Sequence, residues 1–115
     1  MRDIEELRQA LAKFALDRDW DQFHSPKNLT MALAAEAGEL LEQMQWLTEE
    51  QSRQLSDGKL QAVSEEIADV FIYLVRLSDK LGIDLLSAAA AKIKRNEAKY
   101  PIDKAFGKAD KYTEL

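Results

Sequence analysis

Residues 32–43 read ALAAEAGELLEQ. Ala and Leu, one Gly and no β-branched residue give this stretch the composition of a buried helix, because small and straight-chain side chains lose little freedom there. Two acids, Glu36 and Glu39, stand inside it three residues apart. Ionised carboxylates are costly to hold in a core unless something offsets their charge. What offsets these two bears on both the packing of the helix and the chemistry of the chain.

Outward from this stretch, Ser25 is a good N-cap with Pro26 at the first helical position, so the helix is expected from about Pro26 to Leu47. Upstream, residues 2–18 form a helix carrying Ile4, Leu7, Leu11 and Phe14 on one side, followed by the aromatic and polar loop RDWDQFHSP. Downstream, TEEQ has the form of a capping box behind Thr48, and SDG closes that short piece. A third long helix is expected over 59–81, stopped by Gly82, and Asp84 caps a fourth that runs to about Lys99. Pro101 disfavours helical geometry at Tyr100, and the tail from about 101 looks irregular. The expected fold is all-α: a four-helix bundle protomer built from one domain, residues 1–115.

Composition agrees. Hydrophobic residues make up 46% and charged residues 32%, a globular balance, and two prolines and four glycines leave few helix breakers. A net charge of −5 disfavours a general affinity for nucleic acid. With no cysteine, disulfides, thiolate metal sites and cysteine nucleophiles are all excluded. The charged start MRDIEELRQA does not read as a secretory signal, and the apolar run VFIYLV is too short to cross a bilayer; the expectation is a cytoplasmic protein with no membrane partner.

The third helix has a spine of Val63, Ile67, Val70, Leu74, Leu77 and Leu81, and the second a matching one of Leu33, Ala37, Leu40, Met44 and Leu47. One residue back from each, a rotation of roughly 100°, lie Ala32, Glu36, Glu39, Gln43 and Trp46, and Ala62, Glu66, Asp69, Tyr73 and Arg76. If the seams face each other, four carboxylates converge on one edge of the interface. Protonation or a multivalent cation can relieve their repulsion, and all-oxygen ligation suits Mg²⁺ or Mn²⁺. The bland alternative is four solvated acids on helix surfaces. A di-iron site is excluded, since it needs Glu-x-x-His on two helices and the one histidine, His24, lies in a loop.

EAGE and EIAD, twenty-six residues apart, resemble the E-x-x-E…E-x-x-D signature of the MazG-like, all-α nucleoside triphosphate pyrophosphohydrolases. RDWDQFHSPKNL, EAGELLEQMQW, EEIADVFIYLVRLS, KIKRNEAKYP and KYTEL resemble the dCTP pyrophosphatase branch, in order, from residue 17 to 115. The resemblance implies hydrolysis of a nucleoside triphosphate, dCTP or a modified dCTP, to the monophosphate and pyrophosphate. It makes Glu36, Glu39, Glu66 and Asp69 the catalytic acids and ligands of Mg²⁺, for which Mn²⁺ can substitute. Read from the residues alone, His24 is a substrate contact or, more commonly for a lone loop histidine, a hydrogen-bonded structural group; Asn28 orients a base edge or bonds the helix start; and Phe23 is left to the core. The resemblance places Trp20, Trp46 and Tyr73 around the base and Lys92 and Asn96 at the phosphates. It also implies a homodimer or homotetramer. Apolar Leu11 falls on the side of the first helix that approaches the base, where a polar residue in some relatives would change base discrimination. The alternatives are a non-catalytic helical interaction module and a nucleotide-binding regulator, separated from the enzyme by pyrophosphate release in Mg²⁺.

Overall fold

A computed structural model describes all residues, 1–115. It is all-helical, and the chain divides into two compact units, Met1–Gly82 and Ile83–Leu115.

In the first unit α1 spans Ile4–Asp17, α2 Pro26–Met44, α3 Glu49–Ser52 and α4 Asp57–Lys80, with a 3₁₀ turn at Asp21–Phe23. Each start has a side-chain acceptor for an otherwise orphaned amide. Glu6 N–H donates to Asp3 Oδ1, Asn28 N–H to Ser25 Oγ and Lys59 N–H to Ser56 Oγ. Thr48 and Gln51 complete the expected capping box around α3. Ser56 therefore opens α4 two residues earlier than expected, rather than closing the preceding turn. The end of α4 is as expected: Gly82 takes φ +66°, a conformation open to glycine at no steric cost.

The strongest pairing in this unit is α2 on α4, with α1 also packed on α4. α2 and α4 are antiparallel: His24, just before α2, meets Arg76 near the end of α4, while the acids face each other at mid-helix. Ala15, Leu29, Val63 and Val75 are the buried apolar side chains.

Most of the expected seam is covered: Val63 is buried, and Val70, Leu74 and Leu77 of α4 with Leu33, Leu40 and Met44 of α2 are half-buried. Ile67 is 53% exposed and Leu81 52%, and Ala37 is exposed too, whereas Ala62, Glu66, Asp69 and Tyr73 are half-buried and Arg76 is buried. The acid stripe therefore lies along the edge of the α2–α4 seam, with Glu36, Glu66 and Asp69 half-buried and Glu39 exposed. Arg76, farther along the stripe, is buried because Asp21 and Asp79 satisfy its charge internally. Ile67 and Phe71, i and i+4, are left as an outward apolar line.

At the end of α1 the chain turns sharply. Asp19 adopts φ +55°, a left-handed conformation that aspartate tolerates better than most residues. Trp20 N–H then donates back to the Ala15 carbonyl at 2.9 Å, and the indole meets Phe14 edge-on at 5.7 Å between ring centroids. Phe23, expected in the core, is 59% exposed, because the 3₁₀ turn directs it outward.

The second unit comprises α5, Leu85–Lys99, α6, Ile102–Ala105, and a 3₁₀ turn at Tyr112–Glu114. Asp84 caps α5 through the Ser87 amide and Tyr100 follows its last residue, as the sequence implies. The segment after 101, expected to be irregular, holds these two short helical pieces, and Tyr112 packs edge-on against Tyr100.

Candidate metal centre and adjoining pocket

Midway along α2 and α4, Glu36, Glu39 and Glu66 bring one carboxylate oxygen each to within 4.8 Å of one another. Glu36 Oε2 and Glu66 Oε2 are buried and have no hydrogen-bond partner. Burial pushes the Glu36 carboxyl up to about 7, helped by the Glu39 carboxylate and then by Asp69 and Glu66. Glu66 is raised as well, by burial first and then by Glu39 and Asp69. Asp69 is half-buried and lies outside the three-oxygen cluster, although its charge acts on both Glu36 and Glu66.

Two orphaned carboxyl oxygens in one cluster call for a proton or a counter-charge. No Lys or Arg pairs with any of these acids, although the unit's other cations form many ion pairs. A hard divalent cation fits this donor set, which is carboxylate oxygens only, brought together from two helices.

One turn beyond Asp69 on α4, Tyr73 begins a pocket of about 280 Å³. Leu11, Phe14 and Ala15 of α1 and Ile72 of α4 form its apolar walls. Trp20 and Tyr73 supply flat aromatic surfaces, and His24 and Arg76 the polar edge. The Arg76 guanidinium donates from Nε to His24 Nδ1 at 3.2 Å and from Nη2 to Asp21 Oδ1 at 2.6 Å, and it pairs with Asp79 at 3.4 Å. Lys80 also binds Asp21, and Arg8 of α1 binds Asp79. This network ties α1 and the aromatic loop to α4, so that Trp20 and His24 are carried on a braced segment rather than a free loop.

Asn28 and Trp46 do not line this pocket. Asn28 donates its side-chain amide to the Phe23 carbonyl at 3.0 Å, bracing the start of α2. Trp46 follows the opposite end of α2 and is 85% exposed. Lys92 and Asn96 lie one turn apart on α5, both exposed. Conversely, Arg76 and Asp21 were given no role from the sequence. The signal was present in Arg76, a cation three residues after Tyr73 on the acid-bearing stripe, where a solvated charge is out of place.

Comparison with known proteins places this geometry. The model of the MazG-like family matches residues 31–115. The chain is 41% identical to dCTP pyrophosphatase 1 of Bos taurus, over 97% of this chain and 68% of that one. It is 42% identical to dCTP pyrophosphatase 1 of Homo sapiens, over 97% and 67%. The crystal structure of a pyrophosphatase from Archaeoglobus fulgidus superposes with a TM-score of 0.80 at 40% identity, covering 84% of this chain and 91% of that one. The chain belongs to the MazG-like family. Its enzyme class is nucleotide pyrophosphohydrolase.

Proposed function

We propose that this protein hydrolyses a deoxynucleoside triphosphate, dCTP or a modified dCTP, to the monophosphate and pyrophosphate in a Mg²⁺-dependent reaction. The observation that carries the metal dependence is the pair of buried, partnerless oxygens of Glu36 and Glu66 beside Glu39. The identity of the relatives supports the substrate.

Glu36, Glu39 and Glu66 would hold the metal, with Asp69 adding charge from the next position of the α4 stripe. A bound Mg²⁺ neutralises phosphate oxygens and acidifies a coordinated water. The carboxylates, free of Lys and Arg partners, are available to accept the proton of the water that attacks the α-phosphorus. The α–β anhydride bond breaks and pyrophosphate departs. Trp20 and Tyr73 stack on the base, which the apolar walls from Leu11 to Ile72 shield from water. Stacking of this kind is worth roughly 1–3 kcal/mol per base. Lys92 and Asn96 are phosphate ligands on the strength of their motif, with Asn28 holding the start of α2.

The outward apolar lines, Ile67 with Phe71 on α4 and Met31 and Leu41 on α2, favour assembly as a homodimer or homotetramer. Trp46, exposed in the single chain, then reaches the base of a neighbouring copy. No helix is long and apolar enough to cross a membrane.

The test is hydrolysis of dCTP in ¹⁸O-labelled water, with and without Mg²⁺. The expected products are dCMP carrying the label and unlabelled pyrophosphate, formed only with the metal. Release of single phosphate, or label in pyrophosphate, would overturn the proposal.

A further inference from the structure

The pocket presents very little polar chemistry, and what it has is arranged in one direction. An arginine guanidinium has five N–H donors and no acceptor, and it does not lose its proton in proteins. Arg76 is 6% exposed and held on several sides, by Asp21 of the 3₁₀ turn, by Asp79 of its own helix and by His24. Its Nε–H donates to His24 Nδ1 at 3.2 Å. A histidine nitrogen that accepts from such a donor carries no proton, so the neutral ring bears its one proton on Nε2.

We propose that Arg76 is a positioning residue that fixes His24 as the Nε2–H tautomer, so that the pocket offers a hydrogen-bond donor to an acceptor on the edge of the base. The favoured ligand is a base that turns a ring nitrogen or carbonyl oxygen toward His24, as the N3/O2 edge of cytosine can. A base that turns only an N–H toward it would leave two donors opposed in a mostly apolar cavity. The charged groups around His24 are Arg76 and Lys80 from α4 and Asp21 from its own loop; burial first and then the two cations disfavour the charged ring, while Asp21 opposes them. The network from Arg8 through Asp79 to Arg76 holds the donor in place from α1 as well.

The assignment rests on the nucleotide pyrophosphohydrolase reading for its base, but the tautomer can be read without turnover. His24 is the single histidine of the chain, so long-range ¹H–¹⁵N correlations of the imidazole need no assignment. At neutral pH the folded protein is expected to show a protonated Nε2 and a bare Nδ1. Arg76→Met, which keeps bulk but removes the donor, is expected to give a mixture of tautomers. It should also raise KM for dCTP about tenfold, the scale of one lost hydrogen bond, with kcat little changed. Should that variant fail to fold, His24→Leu and His24→Gln decide the matter. Leu should raise KM for dCTP, and Gln, whose amide can donate from the Nε2 position, should recover most of the loss. A protonated Nδ1 or an imidazolium in the wild type overturns the tautomer. Equal KM values for Leu and Gln overturn its role in recognition. Absence of pyrophosphate release by the wild type with any deoxynucleoside triphosphate would instead strike the underlying enzymatic reading.

Discussion

At the level of single residues, the carboxylates of Glu36 and Glu66 determine how the protein responds to pH and metal. A Glu36 carboxyl raised from 4.5 to about 7 binds a proton in the folded chain where the unfolded chain has lost it. Its stabilising contribution is complete below the unfolded value and disappears as pH rises through about 7. Without metal, this group therefore makes the protein less stable at about pH 8 than at about pH 5. His24, lowered by burial and Arg76, acts in the opposite direction, so the effect is isolated by comparison with Glu36→Gln. Thermal unfolding should show a steeper loss of Tm with rising pH in the wild type than in E36Q. Adding Mg²⁺ should raise Tm most at the alkaline end, because the ligands must be deprotonated to bind. Parallel curves for the two proteins would count against the placement of Glu36. Glu39→Gln and Asp69→Asn should each lower pyrophosphate release by more than about 100-fold, the upper range for losing even an outer-shell partner, with a fold at least as stable. A D69N enzyme with near-normal rates would remove Asp69 from the site.

The helices themselves show which features could be read from the sequence. Capping residues are local and were legible: Ser25 with Pro26, Thr48 with Gln51, Gly82 and Asp84 all act where their chemistry demands. The acid pairs were legible because a three-residue spacing survives whatever the helix packs against. The exposure of Ile67 and Leu81 was not, since a spine alternating by four and three fits a helix seam along its whole length. That spine covers two needs at once, one side for α2 and one for an outward face, and a periodic pattern does not distinguish them. The Arg76–His24–Asp21 cluster was also beyond periodicity, because it joins residues more than fifty positions apart. Leu29 and Val75 are almost fully buried in the first unit. Leu29→Ala should accordingly cost about 2–5 kcal/mol in denaturant unfolding, while Met31→Ala, on an exposed position, should cost far less. Equal losses would mean that the core is placed wrongly.

For the whole molecule, few side chains are fully buried and many apolar ones are exposed, and the proposed homo-oligomer would cover part of that surface. Light scattering should give a multiple of the monomer mass, and Phe71→Lys should reduce it. If Trp46 reaches a base only in a neighbouring copy, dissociation and Trp46→Ala should weaken dCTP binding together, the latter by roughly 1–3 kcal/mol. A Trp46→Ala protein with unaltered KM would leave that residue out of the site. The proposed catalysis depends on the helix interface gathering divalent cations, and this can be measured without substrate. Titration of Mn²⁺, followed by the loss of the free-ion paramagnetic signal, should show binding to the wild type that tightens as pH rises through neutrality. The doubly substituted E36Q/E66Q protein, still folded, should leave the ion free. Equal uptake by both proteins would contradict the account at its centre.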